Sequence, residues 1–160
     1  MRFTSLSGMN CSIAKTLDVV GEWWTPLILR DAFRGTRRFD DFQASLGMAR
    51  SVLTARLRKL TDQGILERRG YSEHPPRYEY QLTEKGLALF PVIVALMRWG
   101  DEWAAGPAGP PVVFVHDTCG NQAVPMLTCP HCHGEMSTAN THSEPGPGSR
   151  PGPAEPAAAR

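Results

Sequence analysis

The stretch that decides the fold is residues 49–83, ARSVLTARLRKLTDQGILERRGYSEHPPRYEYQLT. Its first half carries three leucines at spacings of four and three: Leu53, Leu57 and Leu60. On a helix this spacing places all three in one narrow apolar stripe. We therefore predict an amphipathic helix from about Ala49 to Gln63, ended by Gly64, with the leucine stripe in the core.

The face of this helix opposite the leucines carries hydroxyl groups and arginine. Ser51, Thr54, Arg58 and Asp62 lie there, and Arg50 lies in the first turn. Hydroxyl and guanidinium groups suit the base edges and phosphates of DNA. An ordinary amphipathic helix with a wet face has the same pattern. Because a hairpin follows directly, we favour DNA and predict contacts through Arg50, Ser51, Thr54 and Arg58.

After Gly64 the apolar residues alternate, which predicts strands over Ile65–Tyr71 and Arg77–Leu82 joined around residues 72–76. Positive charge and a stiff Pro75-Pro76 tip mark this hairpin as a wing that reaches a phosphate or a narrow groove. Arg68 also flanks the tip. The predicted DNA contacts outside the helix are Arg37, Arg38, Arg69 and Arg77. For each of them a surface ion pair is an equally good interpretation.

Three further helices precede this stretch and one follows it. The predicted spans are Ser12–Val20, Pro26–Phe33 with Thr25 as N-cap, Asp40–Leu46, and, after the hairpin, Glu84–Trp103 with Thr83 as N-cap. Helix, helix, helix, hairpin, helix is the order of a winged helix-turn-helix. The predicted fold class is therefore mainly α with a small β-hairpin, followed by a Cys/His segment and a disordered tail.

Length, composition and charge limit the class of protein. The chain has 160 residues, 41% of them apolar, which is enough for one ordinary domain plus a tail and excludes wholesale disorder. No signal peptide or membrane span is evident, so we expect a cytoplasmic protein with no membrane partner. Residues 30–77 hold 11 Lys+Arg against 6 Asp+Glu, a net charge of +5 that favours a polyanionic partner.

An ordered set of motifs resembles the HxlR family of bacterial transcriptional regulators. They are Cys11, Gly21-Glu22-Trp23-Trp24, Leu27-Ile28-Leu29-Arg30, Gly35-Thr36-Arg37-Arg38-Phe39, Leu53-Thr54-Ala55-Arg56-Leu57, Gly64-Ile65-Leu66, residues 75–86 (PPRYEYQLTEKG) and Trp99-Gly100. The resemblance implies a homodimeric winged-helix DNA-binding regulator, often a repressor. At the position of Ala49, family members usually carry Ser or Thr. Alanine has no side-chain acceptor, so this chain lacks that N-cap.

The last predicted helix is apolar on two sides. One stripe consists of Leu89, Val92, Leu96, Trp99 and Trp103, and the other of Phe90, Val94 and Met97. One stripe packs on its own domain and the other requires a partner, so we expect a homodimer that binds a pseudo-palindromic operator. Pro91 should kink or split this helix.

Cys11 lies just before the first helix, where the partial positive charge of the helix end favours a thiolate. The resemblance implies that a cysteine at this place senses electrophiles or disulfide stress. We therefore treat Cys11 as the redox-sensing candidate and a small electrophile or aromatic molecule as the effector. Packing of a small apolar side chain at the dimer interface is the alternative.

His116-x2-Cys119 is followed, after nine residues, by Cys129-x2-Cys132. Two such turns supply four ligands for tetrahedral zinc, so we predict one structural zinc ion per chain held by His116, Cys119, Cys129 and Cys132. His131 and His133 are rival fourth ligands. Gly120 and Gly134 lie where tight turns need small residues.

Two other functions compete with DNA binding. Cys129-Pro130-His131-Cys132 is similar to the dithiol of thiol oxidoreductases, but no βαβ setting surrounds it, and no other catalytic motif is present, so we do not expect an enzyme. A winged-helix protein–protein adaptor is the second alternative. The predicted organisation is an N-terminal arm (1–10), the winged domain with its dimerisation helices (11–103), a Pro/Gly linker leading into a strand (104–115), the zinc knuckle (116–136) and a disordered tail (137–160).

Overall fold

The computed structural model describes Leu6, residues 8–74 and residues 76–149. The helices are α1 (Ser12–Val20), α2 (Trp24–Phe33), α3 (Phe39–Leu46), α4 (Arg50–Asp62), α5 (Glu84–Leu87) and α6 (Phe90–Trp103), and the strands are β1 (Leu66–Glu73), β2 (Pro76–Leu82), β3 (Phe114–His116) and β4 (Asn121–Ala123). Strands β1 and β2 form one antiparallel hairpin and β3 and β4 another. The predicted mainly helical, winged helix-like domain with a small hairpin is confirmed.

The core of the winged domain is formed by the inward faces of the helices that precede the wing. Its fully buried side chains are Ile28, Leu29, Phe42, Leu53, Leu57, Leu60, Ile65 and Leu66. The predicted leucine stripe of α4 is therefore confirmed, and it fixes which side of α4 faces outward. Gly47 and Gly64 end α3 and α4 with positive φ angles of 62° and 67°, as expected of glycine at a helix C-terminus.

Helix α2 begins earlier than the sequence predicts. It starts at Trp24, with Trp23 as its N-cap, so the prediction that Thr25 caps a helix from Pro26 is wrong. Thr25 is only 2% exposed, which places its side chain in the interior, away from the helix end. Pro26 still lies in the first turn, where its missing N–H needs no partner within the helix.

The wing is longer than predicted. Ser72, Glu73 and Pro76, which the sequence predicts in the turn, belong to the strands, with Glu73 opposite Pro76 and a register shift between Gly70 and Ser72. A proline at a strand end of an edge pair removes no interior hydrogen bond, which is why the strand tolerates it. Pro75, the other residue of the predicted tip, lies outside the described residues.

The predicted long C-terminal helix is split into α5 and α6. Thr83 caps α5 as predicted, because its Oγ1 accepts a hydrogen bond from the Gly86 N–H at 3.1 Å. Pro91 lies in the first two positions of α6, where no intrahelical N–H is required, so the split removes the cost of a proline inside a helix.

Residues after α6 return to pack against it. The Phe114 ring at the start of β3 meets the Phe90 ring at 5.9 Å, and Phe90 meets Phe33 of α2 at 5.2 Å. Arg98 Nη1 donates to the Pro125 carbonyl at 2.7 Å. This segment therefore contacts the stripe of α6 that includes Phe90 and leaves Phe90 43% exposed.

The predicted domain boundaries stay predictions. Residues 1–5 and 7 of the predicted arm, and 150–160 of the predicted tail, lie outside the described residues. Within the residues that are described, no helix is both long and apolar enough to cross a bilayer.

Candidate nucleic-acid interface

Helix α4 presents its polar face to solvent. Burial of the three leucines on the inner side leaves Arg50, Ser51, Thr54 and Arg58 exposed, as the helical wheel predicts. Together with Ala55, Lys59 and Asp62, these side chains line one open surface concavity. The structure thus brings the four predicted recognition residues of α4 to one continuous surface.

The hydroxyl group of Thr54 is already engaged within the helix. Its Oγ1 donates to the Arg50 carbonyl at 2.8 Å. The proton therefore points back along the helix, and the oxygen lone pairs and the methyl group face outward. Such a side chain accepts hydrogen bonds from the amino groups of adenine or cytosine, and its methyl group can contact that of thymine.

The two exposed arginines of α4 are held only weakly. Arg58 Nε lies 3.8 Å from Asp62 Oδ2 one turn later, and both side chains are more than two-thirds exposed. Arg50 Nη1 lies 3.6 Å from Asp40 Oδ1, and its guanidinium lies 4.6 Å from the centroid of the Phe39 ring. Exposed pairs of this kind contribute little to stability, so both guanidinium groups are available to a phosphate or a base.

The loop before α3 forms a third, short edge of the wing. Arg38 forms a single antiparallel bridge with Glu79, and the Tyr80 N–H donates to the Arg37 carbonyl at 2.8 Å. The Arg38 guanidinium lies 5.0 Å from the centroid of the Tyr71 ring. The structure therefore places Arg37 and Arg38, which are distant from the hairpin in sequence, beside it.

The wing arginines differ in how strongly they are paired. Arg68 lies 3.5 Å from the centroid of the Tyr78 ring, and Arg69 Nη2 lies 2.5 Å from Glu67 Oε1. Arg77 and Arg37 are exposed, and neither forms an ion pair within the described residues. A cation over an aromatic ring keeps its charge and gains a fixed direction. Among the described residues, Arg77 and Arg37 are therefore the arginines around the wing that are least engaged in other contacts.

The surface around α4 lacks apolar anchors. From Ile28 to Gly70, a range that the structure describes in full, no large hydrophobic side chain is exposed. Protein-binding surfaces typically bury aromatic or aliphatic anchors at their centre. A polar face with several arginines and hydroxyls and no such anchor is typical of a nucleic-acid interface.

Two contacts join α4 to the end of α1 and to the loop that follows it, and one of these contacts has no signal in the sequence. Arg56, which the wheel places partly toward the core, forms an interior ion pair with Glu22. Lys59 Nζ donates to the Asp18 carbonyl at the end of α1, at 2.9 Å. No local pattern reveals the lysine contact, because it depends on how α1 and α4 pack.

A second set of exposed side chains, on α1, at the α1–α2 junction and on α6, is strongly apolar. Its exposed members include Ile13, Leu17, Trp23, Val92, Leu96, Trp99 and Trp103, with Trp23 at 82% and Trp103 at 70% exposure. On α6 these residues recur at spacings of four, three and four, the spacing of a helix–helix seam. We call this set of side chains the apolar face.

Cys11 occupies the N-cap position of α1, as the sequence predicts, and is partly buried. Its carbonyl accepts the Lys15 N–H at 3.1 Å. The Leu6 N–H donates to Asp18 Oδ1 at 2.8 Å, so the chain before α1 folds back along the helix. Cys11 therefore belongs to the same helix whose far end contacts Lys59 of α4.

A cavity of about 360 Å³ lies between α2, α6 and the segment leading into β3. Its walls are mainly apolar and include Leu27, Phe33, Phe90, Ile93, Met97 and Phe114. Arg30, Arg34 and Asp101 also line it. Arg30 is already paired with Asp31 at 2.7 Å, whereas Arg34 is exposed and forms no ion pair among the described residues.

The predicted zinc ligands occur in two separate pairs. His116 Nδ1 and Cys119 Sγ are 3.5 Å apart. Hydrogen bonds from Asn121 lower the pKa of the Cys119 thiol, and those from the backbone N–H groups of Cys132 and His131 lower the pKa of the Cys129 thiol. Within the described residues, no group of three or more His, Cys, Asp or Glu side chains is arranged to hold a metal ion.

Comparison with known proteins shows which proteins the chain is similar to. A family model described as HxlR-like helix-turn-helix matches residues 19–107. The Mycobacterium tuberculosis (strain ATCC 25618 / H37Rv) protein named uncharacterized HTH-type transcriptional regulator Rv3095 is 50% identical over 137 residues, covering 86% of this chain and 87% of that protein. The name of this relative describes a regulator of transcription.

Two solved structures share the fold. The crystal structure of PA1607, described as a candidate transcription factor, is 36% identical with a TM-score of 0.79 and covers 88% of this chain and 99% of that chain. The reduced form of the redox regulator HypR is 33% identical with a TM-score of 0.55, covering 57% of this chain and 92% of its own. A match over 88% of 160 residues includes part of the segment after α6, whereas the HypR match covers a length of chain close to that of the winged domain.

Proposed function

This chain belongs to the HxlR-like helix-turn-helix family of transcriptional regulators, and on that premise we propose that it is a homodimeric repressor that binds a specific, pseudo-palindromic DNA site. The observation that carries the proposal is the outward face of α4, which is rich in arginine and hydroxyl groups, exposed to solvent and free of apolar anchors. Family membership supplies the regulatory role, and this face supplies the means of reading DNA.

In the proposed complex α4 lies in the major groove. Arg58 reads guanine through its two forked N–H groups, because its 3.8 Å pair with Asp62 is easily exchanged. Thr54, with its proton held by the Arg50 carbonyl, accepts from an amino group or contacts a thymine methyl. Arg50 and Ser51 at the start of the helix, and Arg37, Arg38, Arg69 and Arg77 around the wing, contact phosphates and set the register.

The apolar face is the proposed dimer interface. Four exposed side chains of α6 recur at helix–helix spacing: Val92, Leu96, Trp99 and Trp103. A second copy of the same seam covers them by two-fold symmetry, and α1 adds Ile13 and Leu17. A two-fold dimer carries two α4 helices and therefore requires two related half-sites about one helical turn of DNA apart.

Selection of bound DNA from a random pool tests the proposal. We expect the full chain to enrich a site with two inverted half-sites, and light scattering to show two chains per bound duplex. A repressor further requires that the enriched site, placed across a promoter, lowers transcription in a purified system. Binding that shows no preference over random duplex at physiological salt would refute the base-reading role of α4.

Thiol responsiveness is part of the proposal and uses α1 as the connection. An oxidant such as diamide takes up two electrons and two protons while Cys11 forms a disulfide with a second thiol; a small electrophile instead bonds to Cys11 Sγ as the thiol proton leaves. Either change at the N-cap displaces α1. Lys59 and Arg56 then transmit the displacement to α4 through the Asp18 carbonyl and Glu22. The redox regulator HypR, which shares the winged domain, supports this role.

Two variants separate sensing from transmission. Cys11→Ser is expected to keep DNA bound in the presence of diamide. Lys59→Met keeps the thiol but removes the hydrogen bond to the Asp18 carbonyl, so Cys11 should still be oxidised while release of DNA is weakened. Release by diamide that is unchanged in Cys11→Ser contradicts a sensor at this residue.

The cavity between α2 and α6 is the proposed effector site for a small aromatic molecule. Its volume of about 360 Å³ is within the usual range for small-ligand sites, and the three phenylalanine rings offer edges and faces for stacking. Arg34, which forms no ion pair with any residue that the structure describes, provides a cation for a carboxylate. Calorimetry with benzoate tests the site: we expect saturable binding that weakens in Arg34→Ala, and no saturable heat at millimolar benzoate refutes the assignment.

Two simple measurements distinguish the rival functions. A protein–protein adaptor predicts no salt-dependent binding to DNA, whereas a regulator predicts a steep dependence on salt. A thiol oxidoreductase that uses Cys129 and Cys132 predicts reduction of insulin with dithiothreitol faster than the uncatalysed reaction, and we expect none.

A further inference from the structure

Asp31 of α2 is the one charged residue that is buried in the described part of the chain. Its Oδ1 lies 2.8 Å from Arg30 Nε and 2.7 Å from Arg30 Nη2, and its Oδ2 accepts a hydrogen bond from the Ser45 hydroxyl group of α3 at 2.7 Å. A carboxylate in the interior needs such partners, because an unpaired buried charge is costly. Asp31 therefore links α2 to α3 and depends on Arg30 to remain buried.

The backbone carbonyl of Asp31 holds the loop between the same two helices. It accepts the Arg34 N–H at 3.1 Å and the Thr36 N–H at 3.0 Å. Arg37 and Arg38 follow directly in the chain and lie beside the wing. One residue therefore holds α3 through its side chain, and through its carbonyl it holds the loop that leads to two predicted DNA contacts.

Helix α3 in turn contacts the first residue of α4. Asp40 Oδ1 lies 3.6 Å from Arg50 Nη1, and the centroid of the Phe39 ring lies 4.6 Å from the Arg50 guanidinium. Residues 47–49 are the whole connection between α3 and α4. A shift of α3 relative to α2 would therefore displace the partners of Arg50, one of the predicted recognition residues.

Arg30 also faces the cavity between α2 and α6. Arg30 and Arg34 both line it and are one helical turn apart on α2. Arg30 directs Nε and Nη2 at Asp31, whereas Arg34 is exposed and forms no ion pair among the described residues. A carboxylate in this cavity meets two guanidinium groups, and one of them is already engaged by the residue that links α2 to α3.

We propose that Asp31 is the positioning residue through which the cavity controls DNA reading, an inference that rests on the proposed effector role of the cavity. A carboxylate in the cavity competes with Asp31 for the Arg30 guanidinium. Without that guanidinium Asp31 is an unpaired charge in the interior, so its carboxylate turns toward water and the hydrogen bond from Ser45 is lost. Helix α3 is then no longer held in the arrangement that presents Arg50 to DNA.

The carboxylate ligand and the operator therefore favour opposite arrangements of the Asp31 side chain. A ligand shifts an equilibrium only when its affinity differs between the two states, and the Arg30 guanidinium provides that difference. Such coupling is reciprocal for binding free energies. The operator must consequently weaken binding of the ligand by the same factor by which the ligand weakens binding of the operator.

Operator binding by the full chain, with and without saturating benzoate, tests the inference. We expect benzoate to weaken operator binding about tenfold, within the usual range of allosteric coupling. Ser45→Ala removes the hydroxyl group but no wall of the cavity. Calorimetry should therefore show benzoate still bound by Ser45→Ala. Its operator affinity should already lie at the level of the benzoate-saturated wild type and should change less than about twofold on adding benzoate.

Ser45→Thr is the matched control, because it keeps a hydroxyl group at an exposed helical position. It should restore the benzoate response, which a purely structural role of this position does not predict. Circular dichroism of both variants monitors the winged domain.

The outcomes separate the inference from the function on which it rests. Absence of saturable benzoate binding by the wild type overturns the effector site and this inference with it. Saturable binding that leaves operator affinity unchanged overturns the inference alone. A benzoate response in Ser45→Ala equal to that of the wild type, or a response in Ser45→Thr as small as in Ser45→Ala, overturns the role of the hydrogen bond between Ser45 and Asp31.

Discussion

Replacement of Arg58 by alanine should separate base reading from folding. The Arg58 side chain is 82% exposed, and its one described ion pair, with Asp62 at 3.8 Å, is a surface pair within α4. Such a pair contributes at most about 0.5 kcal/mol. We therefore expect the free energy of unfolding of Arg58→Ala to remain within about 0.5 kcal/mol of the wild type.

The effect on the operator should be much larger. A bidentate contact between arginine and guanine discriminates against the wrong base by about 1–3 kcal/mol. A two-fold dimer loses this contact in both half-sites, so the operator should bind more weakly by about 2–6 kcal/mol, or about 30-fold to about 10⁴-fold. Random duplex loses only the contribution of one charge per protomer, so the ratio of specific to non-specific affinity collapses.

Fluorescence anisotropy with the selected operator and a scrambled duplex, each at two salt concentrations, measures both quantities. Arg34→Ala is the matched control, because it removes the same charge but lines the cavity between α2 and α6 instead of the α4 concavity. Equal losses for operator and scrambled duplex in Arg58→Ala would refute the assignment, and so would an Arg34→Ala variant with the same loss of discrimination.

Three further substitutions test the wing, the dimer and the core. Arg77→Ala, which removes an unpaired wing cation, should weaken all duplexes alike and reduce the slope of log K against log salt by about 1.8 per dimer, whereas a change in base preference would contradict a phosphate contact. Trp99→Ser removes a ring that is 65% exposed in the single chain; covering that ring is worth about 2–3 kcal/mol per protomer and therefore about 4–6 kcal/mol per dimer, so sedimentation should show the dimer dissociation constant rising about a thousandfold or more, and an unchanged constant would place the interface elsewhere. Gly86→Ala places a Cβ 2.2 Å from the Ile65 carbonyl oxygen and should destabilise the fold by about 2–4 kcal/mol in urea, whereas Gly100→Ala in the open second half of α6 should be neutral or stabilising.

The sequence is sufficient to predict the features of the fold that depend only on residues close together in the chain. The leucine stripe of α4 and the C-terminal glycines Gly47 and Gly64 follow from helical periodicity and from the need for a positive φ. The split at Pro91 follows from the chemistry of proline. Each of these features is decided within one or two helical turns, so the sequence alone is sufficient to predict it.

The predictions from sequence are wrong or incomplete where tertiary packing overrides a local signal. Thr25 followed by Pro26 has the pattern of an N-cap, but Thr25 is buried within a helix that already begins at Trp24. The wing is longer than predicted because an edge strand accepts Pro76. Lys59 contacts the Asp18 carbonyl 41 residues away, and no spacing rule encodes that distance.

The candidate site divides in the same way. The exposed face of α4 is a property of one helix and was predictable, as were the two Cys/His turns, whose spacing sets their conformation. The placement of Arg37 and Arg38 beside the wing was not, because it requires the bridge between Arg38 and Glu79. The described part of the chain arranges no three of the His, Cys, Asp or Glu side chains to hold an ion, and that tertiary arrangement is likewise outside what local spacing can predict.

The distribution of exposed apolar side chains favours DNA over a protein as the proposed partner of α4. An adaptor needs a surface with apolar anchors, and the chain has one: α1, Trp23 and α6 expose Ile13, Trp99 and Trp103. The α4 surface exposes no large hydrophobic side chain, and on the wing the exposed rings of Tyr71 and Tyr78 each have an arginine guanidinium within 5.0 Å. Even if the apolar face binds another protein instead of a second copy, the face of α4 keeps the composition of a DNA-reading surface. Dimerisation and DNA reading can therefore fail independently, and Trp99→Ser and Arg58→Ala test them one at a time.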